Sequence, residues 1–430
     1  MTETKKTLSD LVSCLSDYDP DALPVAQAQQ IIGSFIQPVC AIEKVALRAA
    51  LGRVLATDIV SPIDVPAHDN SAMDGYALRG SDLVADTALT LRVIGTAYAG
   101  RAFDGVIGSG ECVRIMTGGV MPDGCDTVVP QEFTQEATSD SVTLPAGAIR
   151  AGDNRRLKGE DLAAGQPALR QGKILRPADL GLLASLGIAE VPLQRRLRVA
   201  FFSTGDELRS IGEPLDAGCI YDSNRYTLYG MLTRLGCDLI DMGVVKDQPA
   251  ALEAAFRSAC ENADVIITSG GVSVGAADYT KQIMAQLGDV SFWKIGMRPG
   301  RPMAFGRIGS GAHSAALFGL PGNPVAVMVT FYFLVRDALL HMMGASPAPL
   351  PLLRASAQAA MRKKPGRTEY QRGILSTDAS GQQQVRITGS QGSGILRSMS
   401  EANCMVVLRH EQGNVAAGES VDVLLFEGLL

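Results

Sequence analysis

Between residues 197 and 340 of this 430-residue chain, short apolar runs alternate with stretches of helical periodicity, which limits the possible folds sharply. The apolar runs are 197–202, 238–245, 264–268, 290–295 and 315–318; the helical stretches are 225–235, 250–261, 279–287 and 324–340. Runs of this kind read as strands buried on both faces, and helical crossovers let such strands lie parallel. The segment is expected to be a three-layer α/β domain with a parallel-rich sheet. In such a sheet, ligands gather outside the carboxyl ends of the strands, where the loops emerge.

The flanks differ in character. The first 60 residues read as mainly helical, with Pro24 at a first helical position and Val25, Ile31, Ile32 and Phe35 on one apolar face. From 61 to 150, short runs at 91–94, 112–115 and 127–129 are separated by Gly, Pro and Asp, which predicts a β-rich module. A connecting segment follows, with one helix over 177–186. The Pro-rich stretch 347–351 marks a linker, beyond which short strands with Gly turns predict a small β-barrel-like module. The chain exceeds one ordinary core. The expected division is 1–60 with 151–194, then 61–150, 195–346 and 347–430.

Composition excludes several classes. A net charge of −6 argues against a nucleic-acid binder, so an anion-handling protein of this kind must concentrate its cations locally. The eight cysteines show no C-x-x-C pair and the four histidines are far apart, which argues against a disulfide framework and against a zinc or haem site. The apolar run 325–335 is cut by Arg336 and Asp337, and the N-terminus has no apolar signal core. A cytoplasmic location without membrane contact is expected.

The chemistry-bearing residues follow the predicted strands. Ser203-Thr204-Gly205-Asp206-Glu207 follows the first, Lys246-Asp247 the second, and Thr268-Ser269-Gly270-Gly271-Val272-Ser273-Val274-Gly275 the third, with Asp278 beyond; Gly319-Leu320-Pro321-Gly322-Asn323-Pro324 follows the last. Consecutive glycines with hydroxyls let backbone N–H groups face an anion, although a plain structural turn explains them equally well. The P-loop spacing is absent. Asn323-Pro324 reads as a helix cap with Pro at the first position. Glu207, Asp247 and Asp278 each read singly as helix-start acids, yet three at one sheet edge suit Mg²⁺. Lys294, Arg298 and Arg301, in a turn held by Pro and Gly, form a candidate oxyanion clamp.

The motifs S-T-G-D-E-L (203–208), T-S-G-G-V-S-V-G-x-x-D-Y (268–279), R-P-G-R-P (298–302) and P-G-N-P-V (321–325) resemble the molybdopterin-binding domain. Outside it, D-N-S-A-M-D-G-Y-A (69–77), R-I-M-T-G (114–118), R-R-L-K-G-E-D (155–161), G-R-T-E-Y-Q-R-G (366–373) and G-S-Q-G-S-G (389–394) resemble the molybdopterin molybdenumtransferases, from about residue 24 to the end. The resemblance implies four domains and a homodimer whose active site lies at the subunit interface. It implies Asp74, Thr117 and Asp161 from the N-terminal modules, and Glu207, Asp247, Asp278, Lys294 and Arg298 in the α/β cleft. Arg367 and Ser393 would reach in from the C-terminal module. Without it, Asp74 beside Gly75 reads as a β-turn acid.

The resemblance further implies a reaction. Adenylylated molybdopterin and molybdate would give the molybdenum-loaded pterin and AMP, with Mg²⁺ held by Asp247, Asp278 and Glu207. The phosphate-bearing pterin would sit on Ser269, Gly270, Gly271, Ser273, Gly275 and the Pro321-Gly322-Asn323 turn. A molybdopterin adenylyltransferase and acceptor molybdoenzymes are the implied partners. The chain departs from the family at three positions: Arg298 and Arg301 stand where K-P-G-K-P is usual, and Ala326 where Ser is frequent. Arginine keeps the charge and binds oxyanions but does not transfer a proton. An adenylyltransferase would account only for the central third of the chain. A receptor-anchoring scaffold resembling gephyrin would have little need to keep Asp74, Asp247 and Asp278 together.

Overall fold

The computed structural model describes residues 7–13, 18–272, 279–346 and 349–429. The chain forms two compact units: Met1–Ala56 with Gly172–Arg176 and Glu190–Leu430, and Thr57–Gln171 with Pro177–Ala189.

The first unit is built on a six-stranded sheet: β1 (Arg198–Thr204), β2 (Asp238–Val245), β3 (Val265–Ser269), β4 (Gly288–Lys294), β5 (Pro302–Ser310) and β6 (His313–Leu320). Its order is β2-β1-β3-β6-β5-β4. The first four strands run parallel, as the alternation predicts, but β5 runs antiparallel to both its neighbours, β6 and β4, so the sheet is mixed. The cause is local. Only Gly311 and Ala312 separate β5 from β6, and a link that short makes a hairpin, never a crossover. Side chains alternate across β1: Val199 and Phe201 join one core, Ala200 and Phe202 the other. Helices α2 (Pro249–Asn262) and α3 (Tyr279–Leu287) bury Leu252, Phe256, Ile283 and Met284 in the second core. On the opposite face lie α1 (Ser223–Arg234) and α4 (Pro324–Met342), through Leu228, Leu232, Val325 and Val329. Each such side chain contributes about 2 kcal/mol when fully buried.

Asp222 caps α1, accepting from the Arg225 N–H at 3.2 Å. A π turn over Phe331–Val335 interrupts α4. By length and composition α4 could cross a membrane, but it is mostly buried within the unit. The N-terminal reading needs correction. Helices occupy Leu8–Ser13 and Val25–Phe35, and then the strand Ile42–Ala46 pairs with Glu190–Gln194. Pro38 disfavours helix just before it, and Ile36 is already extended.

The C-terminal strands β7 (Leu353–Ala357), β8 (Thr368–Thr377), β9 (Gln383–Ile387), β10 (Cys404–Leu408) and β11 (Ser420–Leu425) run β8-β9-β7-β11-β10, and β10 pairs back with β8. The barrel is thereby closed and has no free edge. Val385, Val406, Val421 and Val423 fill it, while Tyr370, Met405 and Leu424 pack into the α/β core. The Phe333 and Tyr370 rings stack with centroids 3.8 Å apart.

The second unit carries a five-stranded sheet in the order Thr127–Pro130, Gly75–Leu78, Glu111–Ile115, Leu89–Ala97, Ser141–Leu144. It also contains the helix Pro177–Ser185. The β-rich module expected from the sequence is present.

Candidate functional site

Lys294 ends β4 opposite Pro302, which begins β5. The residues between leave the sheet, and Met297–Arg298 pairs in parallel with Thr368 and Glu369 at the start of β8. This detour opens a cavity of about 650 Å³ between the α/β layer and the barrel. Its walls are residues 294–302, the Pro321-Gly322-Asn323 turn, Gly366 and Arg367, and Gln391 to Ser393, with Asp21 and Ala22 at one side. The Ser393 carbonyl accepts from the Val325 N–H at 3.1 Å, tying the last loop to the start of α4.

Positive charge dominates this cavity. Lys294, Arg298, Arg301 and Arg367 line it, and Asp21 is the one carboxylate among the described lining residues. Arg367 pairs with buried Glu369 at 2.7 Å and Lys294 with Asp21 at 2.5 Å. Arg298 and Arg301 have no carboxylate partner among the described residues. Behind the cavity, Arg372 is fully buried and donates to the Ser398 hydroxyl at 3.0 Å and the Gly392 carbonyl at 2.9 Å. It also donates to the carbonyls of Gln391 and Ser390. Burial, with Arg298 nearby, pulls its pKa down to about 10, so it stays charged at neutral pH. Such a site is electrostatically incomplete without an anion.

Of the residues singled out in the sequence, Lys294, Arg298, Pro321, Gly322, Asn323, Arg367 and Ser393 meet in this cavity. Asn323 precedes α4 as expected, but its side chain makes no capping bond. Ser269 is buried, with its hydroxyl accepting from Asn224 Nδ2 at 2.7 Å and donating toward the Pro321 carbonyl at 3.4 Å. The Gly270 N–H donates to the Leu320 carbonyl at 3.1 Å, so it is already engaged by backbone. Gly270 has φ +94°, and a Cβ there would lie 2.6 Å from the Thr204 carbonyl oxygen, so the turn requires glycine. Gly271 continues it, against Thr280. Ser273, Gly275 and Asp278 lie outside the described residues.

Glu207 and Asp247 follow the adjacent strands β1 and β2, and the Asp247 N–H donates to the Asp206 carboxylate at 3.4 Å. Neither lines the cationic cavity. Among the described residues no three His, Cys, Asp or Glu side chains form a metal-holding group. In the second unit, Asp74 and Thr117 are in direct contact: the Thr117 N–H and hydroxyl donate to Asp74 at 2.7 and 2.8 Å. These bonds, with Arg114 nearby, hold the Asp74 carboxyl below its usual range. Asp161 is exposed in the same unit, its N–H donating to the Val65 carbonyl at 3.1 Å. Burial pushes the thiols of Cys112, Cys125 and Cys237 up to about 12, which marks them as packing groups and not nucleophiles.

Three residues of this constellation had no signal in the sequence reading. Asp21 reaches the cavity only because residues 18–23 dock on β4. Asn224 holds two loops together, donating to the Gly322 carbonyl at 2.6 Å as well as to Ser269. Arg372 lies within the G-R-T-E-Y-Q-R-G motif, but nothing in its spacing distinguishes it from the half-buried Arg367.

Family models match nearly the whole chain in order: the MoeA N-terminal region (domain I and II) over residues 23–187, a probable molybdopterin binding domain over 200–341, and the MoeA C-terminal region (domain IV) over 354–426. A molybdopterin molybdenumtransferase of Haemophilus influenzae is 45% identical over 388 residues, 89% of this chain and 94% of that one. A protein of the same name from Nostoc is 37% identical, covering 89% and 88%. The crystal structure of the molybdopterin biosynthesis MoeA protein from Pyrococcus horikoshii superposes with a TM-score of 0.81 at 28% identity, over 94% of this chain and all of that one. With its cationic cavity, closed barrel and β-rich N-terminal unit, the chain belongs to the molybdopterin molybdenumtransferases, transferases of molybdenum cofactor biosynthesis.

Proposed function

We propose that the chain inserts molybdate into adenylylated molybdopterin and releases AMP, with the cationic cavity as the molybdate site. The observation that carries this reading is the pair of guanidinium groups, Arg298 and Arg301, that face the cavity without a carboxylate partner among the described residues. Molybdate is a tetrahedral dianion, and guanidinium forks suit its oxygens. Lys294, Arg367 and the Ser393 segment complete the lining. Pro321, Gly322 and Asn323 would hold the pterin beside it, so that the dithiolene sulfurs face the bound oxyanion.

Glu207 and Asp247 supply hard oxygen donors on neighbouring loops, a donor set that fits Mg²⁺, which takes one or two carboxylates and completes its shell with phosphate and water. When bound there, Mg²⁺ would neutralise the phosphoanhydride charge. Asp74 and Thr117 belong to the second unit, and we assign them, with Asp161, to the same reaction. Their participation, and a homodimer whose subunits complete each other's sites, are parts of the proposal. So are exchange with a molybdopterin adenylyltransferase and acceptor molybdoenzymes, and a cytoplasmic location, which the largely buried α4 supports.

The test is AMP release from adenylylated molybdopterin by the purified chain with Mg²⁺, with and without molybdate. Molybdate-dependent release is expected. Release that ignores molybdate, or none with the pterin bound, would overturn the reading.

A further inference from the structure

Among the described residues, the one carboxylate in the cationic cavity comes from a distant part of the sequence. Residues 18–23 lie along β4 as an extra edge: the Lys294 N–H donates to the Pro20 carbonyl at 2.6 Å, the Leu23 N–H to the Lys294 carbonyl at 3.2 Å, and the Gly296 N–H to the Leu23 carbonyl at 2.7 Å. The Trp293 indole N–H donates to the Tyr18 hydroxyl at 3.0 Å. This docking fixes Asp21 at the cavity wall, with one carboxylate oxygen 2.5 Å from Lys294 Nζ. The Asp21 backbone carbonyl faces Arg301 at 3.5 Å. The strap therefore touches two of the four lining cations, one of them through a full negative charge.

We propose that Asp21 is a built-in counter-ion that holds down the cavity's affinity for its oxyanion, by neutralising Lys294 until an anion takes its place. The inference rests on the reading of the cavity as an oxyanion site. Arg367 is paired with a carboxylate buried behind it, which an incoming ligand does not displace. Asp21 differs because its side chain is mostly exposed, and it shares the open cavity with the ligand. An anion reaching Lys294 must compete with it, and an anion anywhere in the cavity feels its repulsion. Coulomb repulsion scales with ligand charge, so Asp21 weakens a dianion more than a monoanion of the same shape.

The test is calorimetric titration of the full chain with molybdate, and separately with perchlorate, a tetrahedral monoanion. Asp21→Asn keeps the side-chain shape and the backbone carbonyl. It is expected to tighten molybdate about five-fold and perchlorate about two-fold at low salt, with both gains shrinking as salt rises. Glu253→Gln on α2 removes the same charge outside the cavity and is expected to change neither. Trp293 is the single tryptophan of the chain, so unchanged emission in Asp21→Asn reports that the strap is still docked. Equal or weaker molybdate binding in Asp21→Asn with the strap docked would overturn the inference and leave the oxyanion site standing. So would equal tightening in both variants. No molybdate binding to any form up to millimolar concentration would overturn both the site and the inference.

Discussion

Thr117 donates twice to one carboxylate oxygen of Asp74, through its N–H at 2.7 Å and its hydroxyl at 2.8 Å. The backbone bond contributes most to holding that carboxyl below its usual range, the hydroxyl next, and Arg114 adds a smaller pull. Thr117→Val removes only the hydroxyl, so the Asp74 pKa should rise part of the way to its ordinary value, while Thr117→Ser should leave it low. A carboxyl-carbon NMR titration reads this directly. The sign for stability follows from the depressed folded value. The stabilisation is complete above the unfolded pKa and is lost as pH falls through the folded one, so any effect is confined to acid below the usual carboxylate range. An unchanged titration in Thr117→Val would show that the hydroxyl bond does not hold the charge.

Arg372 organises the loop behind the cavity, and among the described residues no carboxylate balances it. Its donors reach Ser398, Ser390, Gln391 and Gly392, all neutral acceptors. Arg372→Met would leave several buried acceptors unsatisfied, at a cost of about 3 kcal/mol by the usual penalty for such groups. Arg372→Lys keeps the charge but not the planar fork, and should fall between. Urea unfolding followed by far-UV circular dichroism measures both. A loss below about 1 kcal/mol in Arg372→Met would mean that water replaces the guanidinium without difficulty.

Asn224 joins the turn after β3 to the turn after β6, giving one N–H to the Ser269 hydroxyl and the other to the Gly322 carbonyl. Asn224→Leu fills similar space without donors and should destabilise the chain by about 2 kcal/mol. Because Gly322 lines the cavity, the same change should also raise the pterin KM. Asn224→Ser, which restores one donor, should recover stability before it recovers KM. If KM in Asn224→Leu were unchanged despite the lost stability, Asn224 would be a packing residue only.

The sequence revealed the strand–helix alternation and the cationic turn, because both rest on local patterns. Periodicity places β1, β2, β3 and β6, and Pro-Gly spacing keeps Arg298 and Arg301 together. It did not reveal β5. Gly306 and Gly309 interrupt its apolar pattern, and Gly306 is there because a Cβ would lie 2.1 Å from the Asp289 carbonyl oxygen on β4. Ser269 illustrates another limit. A hydroxyl beside two glycines suggests a ligand contact, but the last residue of β3 points inward, where it accepts from Asn224. Asp21 meets Lys294 across more than 270 residues, through a docked edge that no local pattern encodes.

Arg298 tests whether the family's usual lysine is needed at this position. Its guanidinium lines the cavity, and among the described residues no carboxylate neutralises it. A charge-assisted hydrogen bond to an oxyanion contributes about 2 kcal/mol, so Arg298→Ala should weaken molybdate binding roughly thirty-fold. Arg298→Lys restores a point charge without the fork and should lose only about three-fold. The informative measurement is the turnover rate at saturating molybdate. If this position serves only to hold charge, Arg298→Lys should turn over at the parental rate with an unchanged pH profile. A faster Arg298→Lys with a new basic limb would instead mean that a lysine here donates a proton, and that the natural arginine has given up that step for tighter holding of the anion.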